Sequence, residues 1–200
     1  MLYSNDIPQI VSKPKSYIEL GDTLLYSVTT VDENKEKPFN PKEPPQLMYS
    51  LIEAPKEASL NTEGRLMWEP TKEQIGKNNF IISVSDSLES VQQIFSIFVN
   101  DKPNIISLDS LSIQIGDTLI HLFDVQDLNK NSDLIYNIKK KINELLFSGK
   151  QGKLTWVPSQ EDIGLHTLEI NVSDGFSLSE DTQKLKIFVY DLPKLTTTPP

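Results

Sequence analysis

The chain has 200 residues, more than one domain of usual size and enough for two of about 100. It has no cysteine, 38% hydrophobic and 24% charged residues, and a formal net charge of -9. This composition excludes disulfides and thiolate chemistry, disfavours phosphate-backbone binding and so nucleic acid as a partner, and fits globular rather than disordered material. No apolar run approaches the roughly 18 residues of a membrane helix, so no membrane insertion is expected.

Met1 to Asp6 carries neither the basic start nor the apolar core of a signal peptide. Asn5-Asp6-Ile7-Pro8 then reads as a joint, and residues 1–8 are assigned to the end of a preceding repeat. Residues 9–101 read as a first repeat. Ile18-Glu19-Leu20-Gly21-Asp22-Thr23-Leu24 turns through Gly-Asp into early strands between Thr23 and Val31. Glu36 to Pro45 is a Pro-rich insertion, which belongs in a surface loop. Leu47 to Ile52 is the next strand. Gly64-Arg65-Leu66-Met67-Trp68-Glu69-Pro70-Thr71 places a tryptophan on a short strand between a glycine turn and a proline, and Glu73 to Gly76 suits one helical turn. Phe80, Ile82 and Val84 alternate with Asn79, Ile81 and Ser83, and Ile94, Ser96 and Phe98 are read as the alternating set of the final strand.

The same order then returns. Asn100-Asp101-Lys102-Pro103 is a second joint, and residues 102–191 read as a second repeat. Ile113 to Leu119 matches Ile18 to Leu24 at 95 positions on, and Gly152-Lys153-Leu154-Thr155-Trp156-Val157-Pro158-Ser159 matches the tryptophan block at 88. Asp162-Ile163-Gly164 and Asn171-Val172-Ser173-Asp174-Gly175 match Gln74-Ile75-Gly76 and Ser83 to Ser87. Thr118 to Val125 and Leu134 to Ile138 are strands. Lys139 to Phe147 has helical propensity, but its repeat partner at 52–60 makes it a loop with a short strand. Leu168, Ile170 and Val172 alternate inward, then Leu185, Ile187 and Val189. Tyr190-Asp191-Leu192-Pro193 is a third joint, and residues 192–200 read as a Pro/Thr linker. Order and spacing kept over six blocks mark a true internal repeat. Joint sequence at both ends predicts further repeats on either side.

Turn signals at this spacing give about seven strands per repeat and an all-β, sandwich architecture. Trp68 and Trp156 are expected in equivalent core places with their N–H groups satisfied by carbonyls. Tyr26, Tyr49 and Tyr136 are also assigned to the core. His121 and His166 do not match one another in the repeat, lack any Ser-His-Asp or His-Glu-x-x-His context, and are read as surface strand residues. Carboxylate pairs such as Glu161-Asp162 and Glu180-Asp181 fall in exposed turns with no cleft between them, and catalysis is not expected. Asn171-Val172-Ser173 is a formal sequon on an outward strand face and is taken as uninformative.

Gly-x-Leu-x-Trp-x-Pro-Thr/Ser, x-Ile-Gly, Val-Ser-Asp-Ser/Gly and a last strand ending in Asp-x-Pro together resemble the dystroglycan-type cadherin-like, or Ig-like, repeats of large surface proteins. The resemblance covers nearly the whole chain as two copies. It implies two tandem Greek-key β-sandwiches of Ig/cadherin-like kind, an extracellular or cell-surface place, and a spacing or adhesive role next to neighbouring repeats or another surface protein or polymer. It also implies calcium at the joints, held by oxygen ligands. Asp6 would meet Asp32 and Asp86, and Asn100 with Asp101 would meet Asp127 and Asp174. Against this, the cadherin linker is shortened to Asn-Asp here, the Asp-x-Asp pair is reduced to one Asp, and Trp-x-Pro replaces Leu-Asp-Arg-Glu. The other reading of these aspartates is turn capping. The alternative function is an accessory polymer- or carbohydrate-binding module of a secreted enzyme, which calls for an exposed aromatic platform.

Overall fold

The computed structural model describes residues 6–32, 46–129, 133–139, 142–176 and 179–193. Asn5, the Pro-rich insertion at 36–45 and residues 194–200 of the linker lie outside them. The chain divides into two compact units, Met1–Asp101 and Lys102–Pro200.

The first unit forms because short apolar-alternating runs can bury one face each only by packing against a second sheet. Its strands are β1 (Gln9–Ile10), β2 (Tyr17–Glu19), β3 (Leu24–Ser27), β4 (Thr30–Val31), β5 (Met48–Glu53), β6 (Ser59–Leu60), β7 (Arg65–Trp68), β8 (Gly76–Ser85) and β9 (Ser90–Asn100). One sheet has the order β2-β9-β8-β5 and the other β3-β7-β6. All neighbours are antiparallel except β2 and β9, which run parallel with Tyr17 opposite Phe98. β1 and β4 add a two-residue pair. A 3-10 turn, Lys72–Gln74, links the two sheets after Trp68. Between the sheets Leu24, Leu66, Trp68, Phe80, Ile82, Val84, Ile97 and Val99 are almost wholly buried. Each such side chain contributes about 1.5–3 kcal/mol by leaving water.

The second unit repeats the plan with β10 (Asn104–Ile105), β11 (Ser110–Gln114), β12 (Leu119–Leu122), β13 (Val125–Gln126), β14 (Ile135–Ile138), β15 (Leu146–Ser148), β16 (Lys153–Trp156), β17 (Gly164–Ser173) and β18 (Glu180–Tyr190). Its sheets are β11-β18-β17-β14 and β12-β16-β15. β11 is parallel to β18 over Ser110 to Gln114. The 3-10 turn recurs at Gln160–Asp162. Leu154, Trp156, Leu168, Ile170, Val172, Leu185, Ile187 and Val189 form a separate buried core. The molecule is therefore all-β, two tandem Greek-key sandwiches of seven main strands each. Among the described residues no helix is long and apolar enough to cross a membrane.

Several local expectations are corrected. In β9 the inward set is Phe95, Ile97 and Val99, while Ile94 is 73% exposed. Apolar residues stand on both faces of that strand, so alternation alone could not choose the phase. The matching inward positions in β18 are Leu185, Ile187 and Val189, all fully buried. Neither histidine is a surface residue. His121 lies half-buried on the inward side of β12 and His166 half-buried beside Trp156, ring centroids 5.1 Å apart. Asn171 is buried, because Glu180 and Thr182 cover it from β18 and accept its amide hydrogens at 3.0 and 3.3 Å.

The tryptophans occupy equivalent strand places and both are 1% exposed. Their N–H groups differ. Trp68 Nε1 donates to the Lys56 carbonyl at 3.2 Å, whereas Trp156 Nε1 has no hydrogen-bond partner among the described residues. Tyr26 is buried at 7% exposure, and Tyr49 and Tyr136 are half-buried.

Candidate functional site

The acidic residues singled out from the sequence sit where strands end. Asp86 follows β8 and is 2% exposed; its Oδ1 accepts the backbone N–H groups of Leu88 and Glu89 at 2.9 and 2.8 Å. Asp174 follows β17 in the same place of the second unit and is 9% exposed. Its Oδ1 accepts the Phe176 N–H at 3.0 Å and its Oδ2 the Ser179 hydroxyl at 2.9 Å. Asp127 Oδ1 accepts the Asn129 N–H at 2.8 Å. Each is an aspartate closing a turn on itself, the local bonding that favours Asp at such positions.

Asn100 is the last residue of β9 and fully buried. Its side-chain amide donates to Glu19 Oε2 at 3.1 Å, and its backbone carbonyl accepts the Leu20 N–H at 2.6 Å. These bonds fasten the chain's exit from the first unit to the end of β2. Asp101 is half-buried, Asp32 is buried at 3% exposure just after β4, and Asp6 is exposed. Among the described residues no three His, Cys, Asp or Glu side chains are gathered as a metal ion needs, and Asp6, Asp32 and Asp86 of the first unit form no such group. Oδ1 of Asp86, Asp127 and Asp174 each accepts a backbone N–H from the turn that follows it.

The aromatic reading also has a geometry. A hollow of about 420 Å³ lies beside Thr23, Glu57, Met67 and Trp68. The Trp68 indole is packed edge-on against Phe80, centroids 5.3 Å apart, and does not present a face to solvent. An aromatic pair not singled out from the sequence lies elsewhere. Phe188 on β18 is 52% exposed and lies nearly parallel to Tyr190, centroids 6.5 Å apart and planes 18° apart. Its signal was present in the alternation: if Ile187 and Val189 face the core, Phe188 and Tyr190 must share the outer face.

No family model matches the chain, and no curated protein matches it in sequence. Solved structures match its backbone. Drosophila OTK, extracellular domains 3–5, aligns over 92% of this chain and 62% of that one at 13% identity with a TM-score of 0.62. That match shows a shared fold and nothing finer. Human protocadherin-24 EC1-2 aligns over 92% of this chain and 99% of that one at 17% identity, with a TM-score of 0.45. An endo-fucoidan hydrolase from glycoside hydrolase family 107 aligns over 94% of this chain at 19% identity and a TM-score of 0.37, and the chain spans 29% of that structure's length. Those two superpositions are too loose to bear on function.

Proposed function

We propose that the chain is a non-catalytic spacer or adhesive module of a longer cell-surface or secreted protein, carried in series with further repeats. The observation that supports this best is the pairing of the outer strands. β2 runs parallel to β9, and β11 parallel to β18. Tension entering near one end of a unit and leaving at the other therefore loads all the hydrogen bonds of such a pair together, in shear, rather than opening them one at a time. That suits an element carrying load between two attachments. The joint sequence at three places in the chain supports the serial arrangement.

Pulling the chain by its ends tests the reading. Two separate unfolding steps are expected, each releasing roughly 300 Å of chain at about 3.3–3.6 Å per extended residue. Gradual lengthening without discrete steps would count against a load-bearing role. Turnover of polysaccharide or ester substrates, lost on replacing His121 or His166, would overturn the non-catalytic part.

Calcium stiffening belongs to the same reading and is tested separately. An ion that binds the folded state alone must raise the melting temperature by mass action. A rise at millimolar calcium would assign these aspartates to the ion, and an unchanged temperature would leave them as turn caps. The Phe188–Tyr190 pair supports a second reading, a polymer-binding module. Retention on insoluble polysaccharide that Phe188→Ala abolishes would favour it.

A further inference from the structure

The two units bury one polar side chain against the same frame, and they differ there by one residue. In the first unit the Tyr26 hydroxyl bridges Ser12 Oγ at 2.7 Å and Gln93 Oε1 at 2.9 Å. The frame holds itself in place. Gln93 Nε2 donates to the Ser12 carbonyl at 2.8 Å, and Ser12 Oγ accepts the Thr29 N–H at 2.8 Å.

The second unit rebuilds this frame bond for bond. Gln183 Nε2 donates to the Ser107 carbonyl at 2.8 Å, and Ser107 Oγ accepts the Asp124 N–H. His121 takes the place of Tyr26: it lies opposite Leu154 of β16, as Tyr26 lies opposite Leu66 of β7. An imidazole ends well short of the place a phenol hydroxyl reaches. The consequence is visible in two atoms. His121 Nε2 and Gln183 Oε1 are both buried and have no hydrogen-bond partner among the described residues.

Two buried polar atoms left unpaired are costly, and native interiors seldom leave them so. A buried water makes about three hydrogen bonds to such groups. We propose that the second repeat binds one structural water at the place of the Tyr26 hydroxyl, held by His121 Nε2, Gln183 Oε1 and Ser107 Oγ. The proton inventory closes. The water donates one hydrogen to Gln183 Oε1 and one to Nε2 of a neutral His121, and it accepts the Ser107 hydroxyl hydrogen. Among the described residues that hydroxyl has only a long bond, 3.3 Å to the Asp124 carbonyl, to give up. Phe123 packs edge-on against the imidazole, ring centroids 4.7 Å apart.

A crystal structure of the full chain at a resolution that shows ordered solvent tests this. A water within hydrogen-bonding distance of both His121 Nε2 and Gln183 Oε1 is expected, and none at Tyr26. A direct bond between His121 and Gln183, or no water there, overturns the proposal. His121→Tyr supplies the hydroxyl and is expected to displace the water and raise the second repeat's melting midpoint by about 5 °C. An unchanged or lowered midpoint in a folded H121Y variant also overturns it. Should H121Y fail to fold, Tyr26→His decides instead: a new water between the introduced imidazole and Gln93 in the first repeat supports the assignment, and its absence refutes it.

Discussion

Tyr49 and Tyr136 lie against glycines where a β-carbon would otherwise sit. A Cβ on Gly64 would come within 2.7 Å of the Tyr49 ring, and one on Gly152 within 2.8 Å of the Tyr136 ring, and both glycines have positive φ. The two demands, close approach and left-handed backbone, add at one position. Gly64→Ala should destabilise the first unit by at least about 2 kcal/mol in urea unfolding. Gly21→Ala, with positive φ but open space around it, should cost about 1 kcal/mol. Equal losses would show that the tyrosine ring yields freely. His121 makes a second prediction at this scale. Burial pushes its imidazole below the usual value near 6.5, with Asp124 pulling the other way. The unfolded chain therefore takes up the proton first as the pH falls. Stability from this group is complete above about pH 6.5 and is lost as the pH drops toward the lowered native value. The second unit's urea midpoint should fall between about pH 7.5 and 5.5, and His121→Gln should flatten that dependence.

The long hairpins β8–β9 and β17–β18 show how far alternation can be trusted. Phe80, Ile82 and Val84 alternate with Asn79, Ile81 and Ser83, and the inward phase read from the sequence is the one found. β9 has Ile94, Phe95, Ile97, Phe98 and Val99 in one run, and its phase is set by which residues meet the opposite sheet. Phe95 meets Tyr26 of the opposite sheet edge-on, ring centroids 6.0 Å apart, and stacks on Phe80 of the neighbouring strand with centroids 5.0 Å apart. Phe95→Ala should cost about 3–5 kcal/mol in chemical denaturation, and Ile94→Ala no more than about 0.5 kcal/mol. The reverse ranking would mean that the strand is turned over. The short turns after the tryptophans are likewise local. Gln74 Oε1 accepts the Thr71 N–H at 2.8 Å and Asp162 Oδ2 the Ser159 N–H at 2.7 Å, so each turn is capped from three residues away. Hydrogen bonds from the Ser159 N–H and hydroxyl hold the Asp162 carboxyl below its ordinary range.

At the scale of the molecule, each unit encloses its own buried cluster, and no residue belongs to both. Residues 1–101 and 102–200 expressed apart should each unfold cooperatively by circular dichroism. A fragment that is unfolded alone would show that its core is not self-sufficient. Much of this plan was legible beforehand, because it rests on relations within short stretches. The doubled blocks, the strand order, the buried tryptophans and the Asp86 and Asp174 turns all follow from spacing, period-two patterning and side chains bonding to their own backbone. The tertiary structure alone decided what depends on residues far apart in the chain. Examples are the phase of β9, the inward place of His121, the cover over Asn171, and the acceptor that Trp68 finds and that Trp156 lacks among the described residues. A strand's period is written in its own residues; the partner of a buried polar atom is supplied by whichever distant segment the packing brings beside it.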